Sequence, residues 1–294
     1  MKVGYPCLNR TLGCTSSKTF RLNNYSEERL KETISDNLEC LKNTLQYNVE
    51  NGLFFFRITS DLVPFASHPV CEFDWQGYFK DEFWEVGEYI RKNDIRISMH
   101  PDQFIVLNSN KEDVYERAVK ELGYHVDVLN TMGLGTNAKI QLHVGGVYGD
   151  KEKSKERFIS RYGELEPKIK RRLVIENDDK SYCLKDCLDI HQETGIPVLF
   201  DGFHHELNNQ GESLESAFEL FTGTWKIKDG LPMVDYSSQR KEGKSGSHAE
   251  SIDPEHFRTF LKDTSNYDFD LMLEIKDKEK SALKALEIIP LDRL

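Results

Sequence analysis

The sequence predicts an α/β fold of one kind, a single (β/α)8 TIM barrel over residues 1–294, and three observations predict it. Six segments climb through an apolar run and end on an imidazole or a carboxylate: IRISMH at His100, KIQLH at His143, LVIE at Glu176, VLFD at Asp201, MVD at Asp235 and LMLE at Glu274. Short runs of Val, Ile, Leu, Met and Phe are what parallel strands look like when both faces of the sheet are covered. Two further apolar segments, KVGYP near the start and GLFFFRIT around Phe54 to Thr59, complete a set of eight. Helix-patterned stretches separate them, and strand alternating with helix requires a parallel sheet with helical crossovers. A closed barrel commonly takes about 250 residues as one domain.

Taken in order, the first strand is followed by a helix opening at Ser26, a good N-cap, with Leu30, Ile34, Leu38, Leu41 and Leu45 striped at helical spacing. The second strand leads to a helix over Phe79 to Ile90. After His100 a helix runs from Lys111 through Val114, Ala118, Leu122, Val126, Leu129 and Met132, stopping at Gly133. His143 precedes a helix over Lys151 to Lys170, and Glu176 one over Leu184 to Thr194, closed by Gly195. Asp201 begins a loop, FDGFHH, that leads to a helix over Leu214 to Phe221. The most open stretch, Tyr236 to Glu250, is rich in Ser, Gly, Lys and Arg. Asp253 and Pro254 then start a helix over Glu255 to Lys262, and Lys280 to Ile288 closes the chain. No repeat, low-complexity tract or linker divides it.

Composition excludes some classes. With 38% hydrophobic and 30% charged residues the chain is of soluble globular type, and no apolar stretch approaches the roughly 20 residues that cross a bilayer. A membrane partner is not expected. The start, MKVGYPCLNR, lacks the apolar core of an export signal, which predicts a cytoplasmic protein. The six cysteines form no CxxC pair and are read as reduced thiols, Cys183 and Cys187 lying four apart on a helix. A net charge of −11 opposes nucleic-acid binding, which lysine and arginine drive by displacing counterions. Divalent ions bound to the strand-end carboxylates would reverse the local field, so a nucleic-acid partner survives this test.

Those strand ends lie at the carboxyl edge, where barrel enzymes keep their chemistry. A mixed imidazole and carboxylate set without thiolates suits Mn, Zn or Fe cofactor sites more than structural zinc. His204, three residues after Asp201, can serve the same cluster, while His205 and Glu206 point elsewhere. His68, His125, His191 and His256 have no carboxylate at ligand spacing and are read as structural. The basic run from Lys168 to Arg172 precedes a strand and is read as a solvated face at the amino edge. The loop from Tyr236 to Glu250, with Arg240, Lys241 and Lys244 and leading to His248, stands at the active edge, where it can meet phosphate.

The chain resembles the ultraviolet damage endonucleases, relatives of the endonuclease IV type of apurinic-site nuclease, over nearly its whole length. The resemblance rests on GYPCLN (Gly4 to Asn9), FRITSDLVPFASHP (Phe56 to Pro69), SMHPDQF (Ser98 to Phe104), LHVGGVYGDK (Leu142 to Lys151), IENDD (Ile175 to Asp179), FDGFHHELN (Phe200 to Asn208), SSQ with GSHAE, and LEIKDKE (Leu273 to Glu279). It implies a TIM barrel whose two or three divalent ions, Mn2+ by preference, nick UV-damaged double-stranded DNA immediately 5′ to a photolesion and leave a 3′-hydroxyl. His100, His143 and Glu176 are then expected to share one ion. Glu176 bridges to a second held with Asp201, Asp235 and Glu274, and His204 and His248 hold the third. Gln103 and Phe104 are expected to wedge into the duplex while the lesion's bases are flipped out, because a photolesion is easier to open than intact DNA. Tyr5 and Asn9 are by the same resemblance candidates to contact the flipped bases. One barrel grips one duplex, so a monomer is expected.

Two positions depart from the family pattern. Before SSQ the family typically carries a lysine, one apolar residue and a histidine, and the lysine can be carboxylated; here Met233 and Asp235 stand there. A thioether cannot carry that group, and Asp235 adds negative charge, so Mn2+ should reactivate metal-stripped protein better than Zn2+. Phe104 stands where the family often has tyrosine, keeping the stacking surface without the hydroxyl. An apurinic-site endonuclease, a metal-dependent sugar isomerase and a non-catalytic lesion-binding protein compete with this reading. The QF loop and GYPCLN weigh against the first, and the basic loop and third ligand pair are superfluous in the second. The complete ligand set speaks against the third.

Overall fold

A computed structural model describes residues 1–294. Eight strands, β1 (Val3–Pro6), β2 (Phe55–Ile58), β3 (Arg96–Met99), β4 (Lys139–His143), β5 (Leu173–Glu176), β6 (Val198–Asp201), β7 (Met233–Tyr236) and β8 (Asp270–Leu273), pair in sequence order into a closed barrel. All pairs are parallel, and β1 closes the ring by pairing with both β2 and β8. The helices are α1 (Glu27–Glu50), α2 (Trp75–Tyr78), α3 (Lys80–Lys92), α4 (Glu112–Thr131), α5 (Lys151–Glu164), α6 (Pro167–Lys170), α7 (Leu184–Thr194), α8 (Gly202–Leu207), α9 (Leu214–Thr222), α10 (Pro254–Asp263) and α11 (Glu279–Ile288). None is long and apolar enough to cross a membrane.

The start and stop signals act as their chemistry dictates. Ser26 Oγ accepts from the Arg29 amide at 3.2 Å, and Asp253 accepts from the Glu255 and His256 amides ahead of Pro254. Gly195 ends α7 in the left-handed conformation at φ 70°.

Four expectations change. The helix over Lys151 to Lys170 is broken, because Pro167 lacks an N–H and holds Glu166 extended at φ −58°, ψ 143°. The basic run before β5 is not wholly solvated: Arg172 is buried and donates to the carbonyls of Leu134, Gly135 and Ala138. FDGFHH is not a loop but enters α8, with Asp201 as its N-cap accepting from the His204 amide at 2.7 Å. The cysteines are not all reduced: Cys14, in the loop after β1, is bonded to Cys40 on the buried face of α1, with Cα atoms 5.8 Å apart, and the other four are free.

Inside the barrel the side chains form layers, since alternate residues of a strand point inward. At the amino end lie the ion pairs Arg96–Asp270 and Lys139–Asp229. Above them Phe55, Val174, Leu199, Met233 and Met272 make a buried apolar layer separate from the core between barrel and helices. Two residues further along those same strands stand Arg57, Glu176, Asp201, Asp235 and Glu274. Period two thus stacks a charged layer directly on an apolar floor.

Candidate metal centre

Strand register places the charged layer in a ring. His143 is paired with Glu176 across β4 and β5, and Asp201 with Asp235 across β6 and β7. His100 and Glu274 sit one residue beyond β3 and β8. Two groups result whose ligand atoms lie within 4.8 Å of one another: His100, His143 and Glu176, and Asp201, Asp235 and Glu274.

In the first group Glu176 Oε1 lies 2.7 Å from His143 Nε2 and 3.3 Å from His100 Nε2. Burial opposes ionisation of Glu176, yet the two imidazoles hold its carboxyl well below the usual carboxylate range. The converse holds for His143: burial disfavours its charge, and Glu176 raises its pKa to about 9. His204 and His248 extend the ring, with centroids 6.2 Å from His143 to His204 and 6.1 Å from His204 to His248. His204 is likewise lifted to about 9, against burial, by Asp201 and Glu176.

The second group has one cation among three carboxylates. The Arg57 guanidinium, buried at the end of β2, donates to both Asp235 oxygens at 2.9 and 2.8 Å and to Glu274. Gln141 accepts from Arg57 at 2.7 Å and donates to Asp235 at 2.6 Å and to Glu176, tying the two groups together. Burial works against the Glu274 carboxylate, but Arg57 brings it down to about 2. Asp235 goes the other way, burial raising it well above the usual range despite Arg57. Asp201 is raised to about 6, by burial against His204.

The donor set fits divalent ions. His100, His204 and His248 each turn Nδ1 to a backbone carbonyl, of Pro101 at 2.6 Å, Asn177 at 3.1 Å and Glu274 at 2.7 Å, which leaves Nε2 as the nitrogen for the ring, in His100 already facing Glu176. That outer-sphere anchoring is the usual setting of a metal-binding histidine. Sequence reasoning missed Arg57 and Gln141, which are polar residues inside apolar runs. Their signal was parity, since Gln141 lies two residues before His143 on the same face and Arg57 two after the apolar layer.

A cleft of about 740 Å3 opens above the ring, lined by His100, His143, His248 and Glu274 and by Gln103 and Phe104 from the loop after β3. Phe104 is 76% exposed, an unusual state for a phenylalanine. The stretch from Tyr236 to Glu250 folds back on itself through a bridge between Gln239 and His248, which carries His248 over the ring. Arg240 is paired with Glu250 at 3.1 Å and, with Lys241, lines a neighbouring depression; Lys244 is exposed. Tyr5 and Asn9 do not reach the cleft. Tyr5 points outward from β1, fully buried, donating to Asn48 of α1 and accepting from Asn9, whose own oxygen caps Thr11 and Leu12. Of the histidines away from the ring, His125 is buried against Ser60 and the Glu121 carbonyl, and His191 meets the Ile196 carbonyl. Against expectation two of them have a carboxylate partner: His256 meets Glu206 at 3.0 Å, and His125 Nδ1 lies 3.6 Å from the Glu121 carboxylate.

Comparison with known proteins gives a consistent result. The family model described as UV-endonuclease UvdE matches residues 1–292. A UV DNA damage endonuclease of Clostridium perfringens (strain 13 / Type A) is 38% identical, the match covering 97% of this chain and 70% of that protein. The crystal structure of SacUVDE superposes with a TM-score of 0.96 at 47% identity over 100% of both chains. Endonuclease IV from Thermus thermophilus shares the fold, with a TM-score of 0.59 at 15% identity over 84% of this chain and 92% of that one.

Proposed function

The chain belongs to the UV-endonuclease UvdE family, and on that premise we propose that it is a metal-dependent endonuclease of DNA repair that cuts UV-damaged duplex DNA immediately 5′ to the lesion, leaving a 3′-hydroxyl. The observation that carries this reading is the pair of adjoining ligand groups on the floor of a cleft whose edge bears an exposed aromatic ring. His100, His143 and Glu176 would hold one ion. Glu176 would face a second with Asp201, Asp235 and Glu274, and His204 and His248 would take a third. Divalent ions, Mn2+ first among them, supply Lewis acidity toward the scissile phosphate and lower the pKa of water. The protein's own part is placement: Gln141 and Arg57 fix the carboxylates of both groups, and backbone carbonyls fix the imidazoles.

Gln103 and Phe104 act as the wedge. Phe104 presents a ring that can take the place of a base in the stack, and a photolesion, already poorly stacked, yields to it more cheaply than intact DNA. Damage is then sensed as deformability, and the bases swing out of the helix without being read by sequence. One barrel serves one duplex as a monomer.

The test is relaxation of irradiated supercoiled plasmid with and without Mn2+, comparing the parent with Glu176→Gln. The parent is expected to nick irradiated plasmid only with metal, and the variant to lose more than the roughly 10–100-fold that changing an outer-sphere partner costs. Nicking that survives in the variant, or an abasic duplex cut more efficiently than an irradiated one, would refute the proposal.

A further inference from the structure

We propose that Lys278 is a phosphate anchor of the cleft, holding a backbone phosphate of the DNA beside the ends of β1 and β8. The inference rests on the nucleic-acid reading above and names a contact that neither the basic loop nor the wedge supplies. Lys278 lines the cleft together with Cys7, Arg57 and Glu274. The neighbouring cations are committed: Arg57 to Asp235 and Glu274, and Lys276 and Arg240 both to Glu250, at 3.0 and 3.1 Å. The Lys278 ammonium makes neither an ion pair nor a hydrogen bond; burial, more than any neighbour, lowers its pKa from the usual lysine value, with Cys7 and Glu274 opposing. In a chain of net charge −11 it is a cation left available beside the metal centre. A compact ammonium of this kind binds phosphate as a point charge, without the planar geometry that arginine requires.

The backbone supplies an independent observation. Lys278 has φ 58° and ψ −116°, a combination glycine adopts readily and a lysine does not. Strain of this sort gathers at functional sites, where the surrounding structure enforces it. It aims the side chain of the residue before α11 at the cleft while Glu279, buried behind it, accepts from the Arg10 amide and the Thr11 hydroxyl. Cys7, across the cleft wall, also has positive φ, at 68°, so the β1 and β8 ends are both held in unusual turns here.

The experiment uses fluorescence anisotropy with a labelled duplex, irradiated or intact, in Mn2+ over a range of KCl, each Lys278 variant and its parent carrying Glu176→Gln. It reads binding with the divalent ions present and without cutting. Lys278→Gly is expected to weaken both duplexes alike and to reduce the slope of log affinity against log salt by about 0.9, one phosphate contact. Its Tm should stay level or rise, because glycine relieves the backbone, and Lys278→Arg should keep the slope. An unchanged slope and affinity in Lys278→Gly, or a loss of binding that merely follows a fall in Tm, would overturn the anchor. Parent protein that bound neither duplex would sink the nucleic-acid reading and the anchor with it.

Discussion

Glu176 and Asp235 are both buried carboxylates on neighbouring faces of one ring, yet the first is driven well below the ordinary range and the second well above it. Burial is common to both, so partners decide. Along β3 to β5 one carboxylate meets two imidazoles, and its charge is met in full. Along β6 to β8 three carboxylates share one guanidinium, which bonds both Asp235 and Glu274, and burial together with the neighbouring carboxylates still lifts Asp235 while Glu274 is held low. The acid half is therefore short of positive charge, and a divalent cation gains most there. Met233 sharpens the contrast, because it lies in the apolar floor directly beneath Asp235 and brings no charge to the acid half.

Removing Arg57 breaks this comparison most directly. Arg57→Met leaves three carboxylates, two of them buried, without a fixed cation, and breaking a buried pair this way costs about 3–5 kcal/mol. Urea denaturation in metal-free buffer should show that loss. Added Mn2+ should recover part of it, since a ligand that binds only the folded state stabilises it. A variant as stable as the parent without metal would mean that Arg57 does not balance the acid half.

The same contrast explains what could be read in advance. Six strand ends were legible because each carries an imidazole or a carboxylate after an apolar run, and the barrel followed from their alternation with helices. Arg57 and Gln141 were hidden because a polar residue inside FFFRIT or KIQLH breaks no pattern; only the two-residue step, forward from Phe55 to Arg57 and back from His143 to Gln141, exposes them. Tyr5 was misplaced for want of that step, since Gly4 and Pro6, not Tyr5, share the inward parity of β1. The Cys14–Cys40 bond joins a loop to a helix 26 residues away, a contact that only the assembled fold creates. Lys278 shows itself only in the structure, by its place in the cleft, its lack of a partner and its backbone.

His125 sharpens the comparison from outside the ring. Where His143 and His204 are raised by carboxylates, His125 is pushed down to about 4 by burial, against the Glu121 backbone carbonyl and Asp102. It is folded in neutral form, so the unfolded chain, with an ordinary pKa near 6.5, binds the extra proton between these values. Stability is then complete above about pH 6.5 and falls as pH drops toward 4, by at most about 3 kcal/mol. Urea midpoints across this window should fall more steeply for the parent than for His125→Gln, which does not titrate. Parallel curves would show that His125 is not the group responsible.

The two halves also differ in what they hold above the ring, and the smallest expected effect separates them. The histidine half carries Gln103 and Phe104, with the ring 76% exposed; the acid half carries the loop with Lys241 and Lys244. Stacking of a base on an aromatic ring is worth about 1–3 kcal/mol and needs a base already loosened from its neighbours, whereas a lysine on phosphate is indifferent to damage. Gln103→Ala with Phe104→Ala should therefore lower affinity for irradiated duplex by that amount and leave intact duplex untouched. Lys241→Ala with Lys244→Ala should weaken both equally. If the wedge variant kept its preference for irradiated DNA while the loop variant lost it, the roles of the halves would be exchanged, and lesion sensing would belong to the electrostatics of the β7 loop.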